Sequence, residues 1–236
     1  MKRLSARQKK LLVRILGALV LVVASYELWI IGRVIWWRTN NPRSSAFMDA
    51  HRIRLQEQKP GAELSHKWVP YGQISIHLKQ AVIASEDAKF LRHDGFDWEG
   101  IQAAWEQNLR KRRIVAGGST ISQQLAKNLF LSGRRTPWRK LDEAHITVWM
   151  ELFLSKRRIL EIYLNVIEWG DGVFGAEAAS RHYYRVSAAK LTARQAAWLA
   201  AIVPNPRYHD RNRKDRKAER KTNIILARMA YTDAPE

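Results

Sequence analysis

The chain has 236 residues, with 41 Lys and Arg against 22 Asp and Glu for a formal charge of +19, and no cysteine. Absence of Cys excludes disulfide and thiolate–metal chemistry, and the length beyond an N-terminal apolar stretch suffices for one well-cored domain. The charge calls for an anionic partner, but its basic clusters at 2–14, 110–113 and 207–221 match no zinc-finger or RNA-recognition pattern, so nucleic acid has charge alone behind it.

Residues 1–14 are basic through Lys2, Arg3, Arg7, Lys9, Lys10 and Arg14. From Ile15 to Gly32 the chain is apolar apart from Glu27, and apolar residues continue to Trp37, broken by Arg33. That length predicts a membrane-crossing anchor over 15–37. Trp29, Trp36 and Trp37 suit an interface at its far end, and the basic residues ahead of it predict a cytoplasmic N-terminus with the body outside. A cleavable signal peptide predicts a shorter apolar region and a small-residue cleavage site, whereas Trp-Trp-Arg follows here. Glu27 and Arg33 are expected to reach toward the headgroups. The polar, Pro-containing stretch 38–45 predicts a linker, leaving 46–236 as the body.

In the body, strand signals are confined to short stretches such as Trp68-Val69, and helix signals recur. Residues 74–85 are apolar enough to pack on a core and run into Glu86-Asp87. On a continuous helix Val82, Glu86, Phe90 and His93 share one face, and that face is apolar. A carboxylate there lines a cleft, where it could move protons, or has a fixed ion-pair partner. Asp97 caps a helix through Ile101, Ala104, Trp105 and Leu109. After Gly117-Gly118, Ser119 caps a second, with Ile121, Leu125 and Leu129 on its apolar face and Thr120, Gln124 and Lys127 in a polar stripe. Such a helix start offers N–H groups to an anion, although an ordinary solvated face fits equally. Thr136-Pro137 opens a third helix through Leu141, Val148 and Leu152. Within it Arg139 and Glu143 form an (i, i+4) pair, by itself worth a few tenths of a kcal/mol. Ser155 opens a fourth through Ile159, Ile162, Tyr163 and Val166, with Glu161 read as scaffold. Thr192 opens a fifth, ended by Pro204-Asn-Pro206.

Five stretches in order carry a resemblance. They are Glu86-Asp87-x-x-Phe90-x-x-His93-x-Gly95, Gly117-x-Ser119-Thr120-Ile121-x-Gln123-Gln124 followed by Lys127-Asn128, and Arg139-Lys140-x-x-Glu143. Lys156-x-x-Ile159-Leu160-Glu161-x-Tyr163-Leu164-Asn165 follows, and Arg181-His-Tyr-Tyr184 stands where a Tyr-Phe is common. From about 69 to 206 the chain resembles the peptidoglycan glycosyltransferases, in their monofunctional, membrane-anchored form. The same domain makes the polymerising half of class A penicillin-binding proteins, and the end at Glu236 leads us to expect no penicillin-binding domain. The resemblance implies a mainly α, lysozyme-like fold behind an N-terminal transmembrane helix, with a hydrophobic jaw near the membrane.

It also implies the chemistry. The substrate is lipid II, whose acceptor GlcNAc 4-hydroxyl attacks C1 of the donor MurNAc with inversion, releasing undecaprenyl pyrophosphate. Glu86 is the general base and Glu143 the second, donor-side carboxylate. Lys127 and Arg139 meet phosphate, Thr120, Gln124 and Asn128 position substrate, and Asp87, Phe90 and His93 complete one cleft wall. Ser119, Gln123 and Lys140 join the substrate-binding set. No protein metal ligand or obligatory cofactor is implied, with a Mg or Mn ion at the pyrophosphate as the open option. The expected partners are lipid II, the growing glycan, membrane lipids and other cell-wall synthesis or division proteins, with no nucleic acid, at the cytoplasmic (inner) membrane with the body outside. Two readings compete: a muramidase or lytic transglycosylase on the same fold, and a non-catalytic basic membrane scaffold.

Overall fold

A computed structural model describes residues 5–113, 117–131 and 137–236. The first helix, α1 (Ala6–Trp36), starts inside the basic segment, because Ser5 and Gln8 form a reciprocal capping box at its N-terminus. It is long and apolar enough to cross a membrane, with a mean hydropathy of 2.1 over a window only 6% buried in the protein. Its last turns dock on the body through Ile30, Val34 and Trp37. Here two expectations are corrected. Glu27 has a partner inside the protein: its Oε2 accepts from Trp149 Nε1 at 3.1 Å and lies 3.1 Å from His145 Nε2. Arg33 lies over the rings of Trp37, Trp29 and Phe130 at 4.7–5.5 Å, so cation–π contacts hold its charge.

The body runs α2 (Ala46–Gln58), β1 (Ser65–His66), α3 (Ile76–Glu86), α4 (Trp98–Lys111), α5 (Ile121–Phe130), α6 (Pro137–Phe153) and α7 (Lys156–Val166). Then come β2 (Glu168–Gly170), β3 (Val173–Phe174), α8 (Ala176–Tyr184), α9 (Ala193–Ile202), α10 (Pro206–Arg211) and α11 (Arg216–Met229). The mainly α reading holds. In the core, α3 and α11 pack on α9, whose Ala196, Ala197, Ala200 and Ala201 present small side chains to its neighbours. A second layer places α5 on α6 and α7, and α1 rests on α6. The sheet has the order β1-β3-β2, with β1 parallel to β3 and β2 antiparallel to it. Trp68-Val69 is not a strand. The Val69 N–H donates to Asn165 Oδ1 at 2.9 Å while Asn165 Nδ2 donates to Val69 O at 3.0 Å, so a side chain supplies the pairing a neighbouring strand would.

Asp97, Ser155 and Thr192 cap their helices as expected. Thr120, not Ser119, caps α5: its hydroxyl accepts from Gln123 N, and Gln123 Oε1 returns to Thr120 N. Pro137 is the first described residue of α6, and Thr136 lies outside the described residues.

Two apolar stripes face outward. On α6 the buried positions are Glu143, Ile146, Thr147 and Met150, whereas Leu141, Val148 and Leu152 are exposed. On α4 only Ala104 is buried; Trp98, Trp105 and Leu109 are exposed, as is Trp138 on α6. Exposed apolar side chains on this scale mark a surface that meets something other than water.

At the far end, His51, Glu168 and Asp171 bring ligand atoms within 4.8 Å of one another. Guanidinium groups already serve those carboxylates: Arg207 Nε bonds Glu168 at 2.6 Å, and Arg54 and Arg211 reach Asp171 at 3.2 and 3.1 Å. Burial raises the Glu168 pKa, and burial with Arg207 and Arg54 lowers that of His51. With three arginines around it, the cluster is an ion-pair network tying α2 to α10 and the sheet, and suits a cation poorly.

Candidate active site

Glu86 is the last residue of α3. Its Oε1 accepts from the Ser85 hydroxyl at 2.9 Å, and its Oε2 accepts from Gln124 Nε2 at 3.2 Å. The Lys221 ammonium lies 3.6 Å from Oε1. Gln124 is itself fixed, since the fully buried Tyr163 donates its hydroxyl to Gln124 Oε1 at 2.8 Å. Burial, and then the carboxylates Glu86 and Asp87, hold the Tyr163 pKa well above its ordinary value, so that hydroxyl stays a donor. Both Glu86 oxygens thus have a polar partner in reach, which fixes the orientation of the carboxylate.

The expected helical face through Phe90 and His93 does not form. Asp87 leaves the helix at φ −163°, ψ 73°, and Phe90–Arg92 is a short 3₁₀ turn. The cause is tertiary. Asp87 Oδ2 accepts from Ile121 N at 2.9 Å, placing a carboxylate at the N-terminus of α5, where the helix dipole favours it. Asp87 Oδ1 meets His93 Nε2 at 2.9 Å, and Gly95 N donates to His93 Nδ1, which assigns the proton to Nε2. Thr120 closes the loop by donating to Gly95 O at 2.7 Å. Asp87, Phe90, His93, Thr120 and Gln123 therefore lie beneath the Glu86 end of α3, buried or nearly so, and their polar atoms bond one another.

Helix α5 joins this group to the second carboxylate. Glu143 is buried on α6, and the Lys140 ammonium pairs with it while approaching Ser119 Oγ at 3.4 Å. Lys140, three residues back, is thus a partner of Glu143. Ser119 and Lys140 are exposed, Gln124, Lys127 and Arg139 half-buried, and Asn128 bonds back to Gln124 O at 2.7 Å. The Lys127 ammonium sits over the Phe47 ring at 5.7 Å. Each carboxylate thus has a lysine beside it, Lys221 at Glu86 and Lys140 at Glu143.

Comparison with known proteins gives the family. Residues 53–230 match the Transglycosylase family, three-quarters of the chain. The chain belongs to the transglycosylase family. The chain is 64% identical to a protein of Laribacter hongkongensis and 62% identical to one of Chromobacterium violaceum, each over 96% of this chain and 99% of the relative. It is 56% identical to a Dechloromonas aromatica protein over the full length of both. All three relatives carry the name biosynthetic peptidoglycan transglycosylase. The mainly α arrangement is accordingly the lysozyme-like fold of transglycosylases.

Sequence reasoning about this transglycosylase missed two contributors to the Glu86 environment. Tyr163 lay in a helix read as scaffold, and only its burial against Gln124 reveals its reach. Lys221 lay in a basic tail with no local signal. The scaffold reading of Glu161 holds, because it accepts from Tyr71 N at 3.0 Å and pairs with Arg158 at 2.6 Å. Tyr163→Phe keeps the ring and removes the bond that orients Gln124. It is expected to lower turnover about tenfold, the equivalent of roughly 1.4 kcal/mol, close to one hydrogen bond. Parallel melting curves check it: unchanged turnover would show that the Gln124 amide needs no such orientation.

Proposed function

We propose that the chain polymerises lipid II into glycan strands in cell-wall biosynthesis, inverting MurNAc C1 and releasing undecaprenyl pyrophosphate. The observation that carries this reading is Glu86 with donors on both oxygens, set across α5 from the Lys140–Glu143 pair. Glu86 takes the proton of the acceptor 4-hydroxyl as that oxygen bonds to C1. The bond from C1 to the pyrophosphate oxygen breaks as the new one forms, and the lipid pyrophosphate departs toward the cations. Lys127 and Arg139 meet its phosphates, and Lys140 resolves the difficulty that a carboxylate alone repels an anion. Glu143 orients the Lys140 ammonium, which supplies the positive charge. Asp87, His93, Thr120 and Gln123 fix the α3–α5 corner, Ser119 and Gln124 border the cleft, and Asn128 supports Gln124. A Mg or Mn ion at the pyrophosphate would take its ligands from the phosphates, since the buried carboxylate there is already paired, and no step depends on one.

A muramidase on this fold needs a protonated glutamate to donate to the leaving oxygen. Donors on both Glu86 oxygens favour the base over that acid. Purified enzyme given lipid II should build polymer, and given finished glycan should release nothing; cleavage of finished glycan without polymerisation would reverse the assignment.

Membrane attachment fits a lipid-linked substrate. Helix α1 is long enough for the bilayer at about 1.5 Å per residue, and the exposed stripes of α4 and α6 suit the lipid surface beside it. We place the N-terminus in the cytoplasm and the body outside the inner membrane, from the basic residues ahead of α1. A reporter that works only outside the cytoplasm should be active when fused after Glu236, and a silent one would reverse the topology.

A further inference from the structure

The basic C-terminal stretch, counted by sequence as bulk charge, delivers one side chain to Glu86. Asp215 caps α11 by accepting from Lys217 N and Ala218 N. Ala218, Thr222 and Ile225 are buried on one face, where α11 meets α3 and α9. Lys221 sits between those anchored turns, with its side chain about a third exposed, and its Nζ lies 3.6 Å from Glu86 Oε1. It also borders a cavity of about 470 Å³ lined by Asn205, Tyr208, His209 and Asp215.

The groups around Glu86 divide by what they can do. Ser85 and Gln124 are neutral donors that fix where the carboxylate points. Lys221 is the cation that the described ion pairs place against it. At 3.6 Å the contact is an ion pair without a short hydrogen bond, so it holds the carboxylate while leaving Oε1 lone pairs for an incoming hydroxyl. The helix-anchored backbone holds the ammonium to one side of the carboxylate.

We infer that Lys221 is a positioning residue for Glu86, holding its carboxylate in place to receive the acceptor proton before each transfer. This rests on Glu86 being the base. It adds the C-terminal helix to the machinery.

The test compares Lys221→Met, Lys221→Gln and Lys221→Arg with the parent and with Glu86→Gln, measuring lipid II polymerisation, lipid II binding and melting temperature. Lys221→Met and Lys221→Gln should lose roughly 10- to 100-fold in kcat, the scale of a misplaced catalytic group. KM and lipid II binding should stay within about twofold, because the lost interaction is with the enzyme's own base. Lys221→Arg, which keeps the charge, should recover most of the turnover, and its comparison with Lys221→Gln stands even if Lys221→Met melts early. Full turnover in Lys221→Gln beside an inactive Glu86→Gln overturns this inference alone. A loss seen in KM and binding instead makes Lys221 a substrate contact and overturns it too, as does failure of Lys221→Arg to recover. Activity in Glu86→Gln removes the base assignment, and this inference with it.

Discussion

Glu86→Gln is expected to abolish lipid II polymerisation while the protein still folds. The substitution keeps the size and shape of the side chain, and the new amide oxygen can still accept from Ser85 or Gln124. What it removes is the capacity to take a proton, and general acid–base catalysis is worth roughly 10²–10⁴-fold. It also leaves Lys221 without its carboxylate partner; the ammonium is about a third exposed, so water can serve it and the melting temperature should move little. Initial rates on purified lipid II, set beside melting curves, check both halves. A folded variant retaining a tenth or more of the parent rate would place the base elsewhere.

Lys127→Ala and Arg139→Ala should each weaken donor binding. A hydrogen bond to a charged group contributes about 1.5–3 kcal/mol, so a lost phosphate contact should cost roughly ten- to a hundredfold in affinity. Arg139→Lys should stay impaired, because an ammonium cannot reproduce the planar fork of a guanidinium. Both residues are half-buried, Lys127 on α5 and Arg139 on α6, the helix that carries the Lys140–Glu143 pair. The competing explanation is that Arg139 serves the fold through its own acidic neighbours, and lipid II binding and thermal melting on the same variants separate the two. Normal binding with a lowered melting temperature would leave Arg139 in the scaffold.

The sequence by itself determined the long apolar N-terminal helix, the mainly α body and the starts of α4, α7 and α9. These are set by interactions within a few residues: Asp97, Ser155 and Thr192 accept bonds from N–H groups three positions on. The motif residues named both carboxylates for the same reason, since each motif is short and local. Local patterns could not decide which face of α6 is buried, because that helix is apolar on both sides. Only packing on α5 turned Glu143 inward and left Leu141 and Leu152 outside. Nor could they end α3 at Glu86. A continuous helix through His93 was locally sound until the N-terminus of α5 and the His93 ring captured Asp87 and drew the chain away. The same holds for Glu27, which finds its partners on α6, and for Glu86, which meets Tyr163 through Gln124 and Lys221 directly. Charge and hydrogen-bond partners act over a few ångströms in space, and segments far apart in the chain share that space only after the helices have packed.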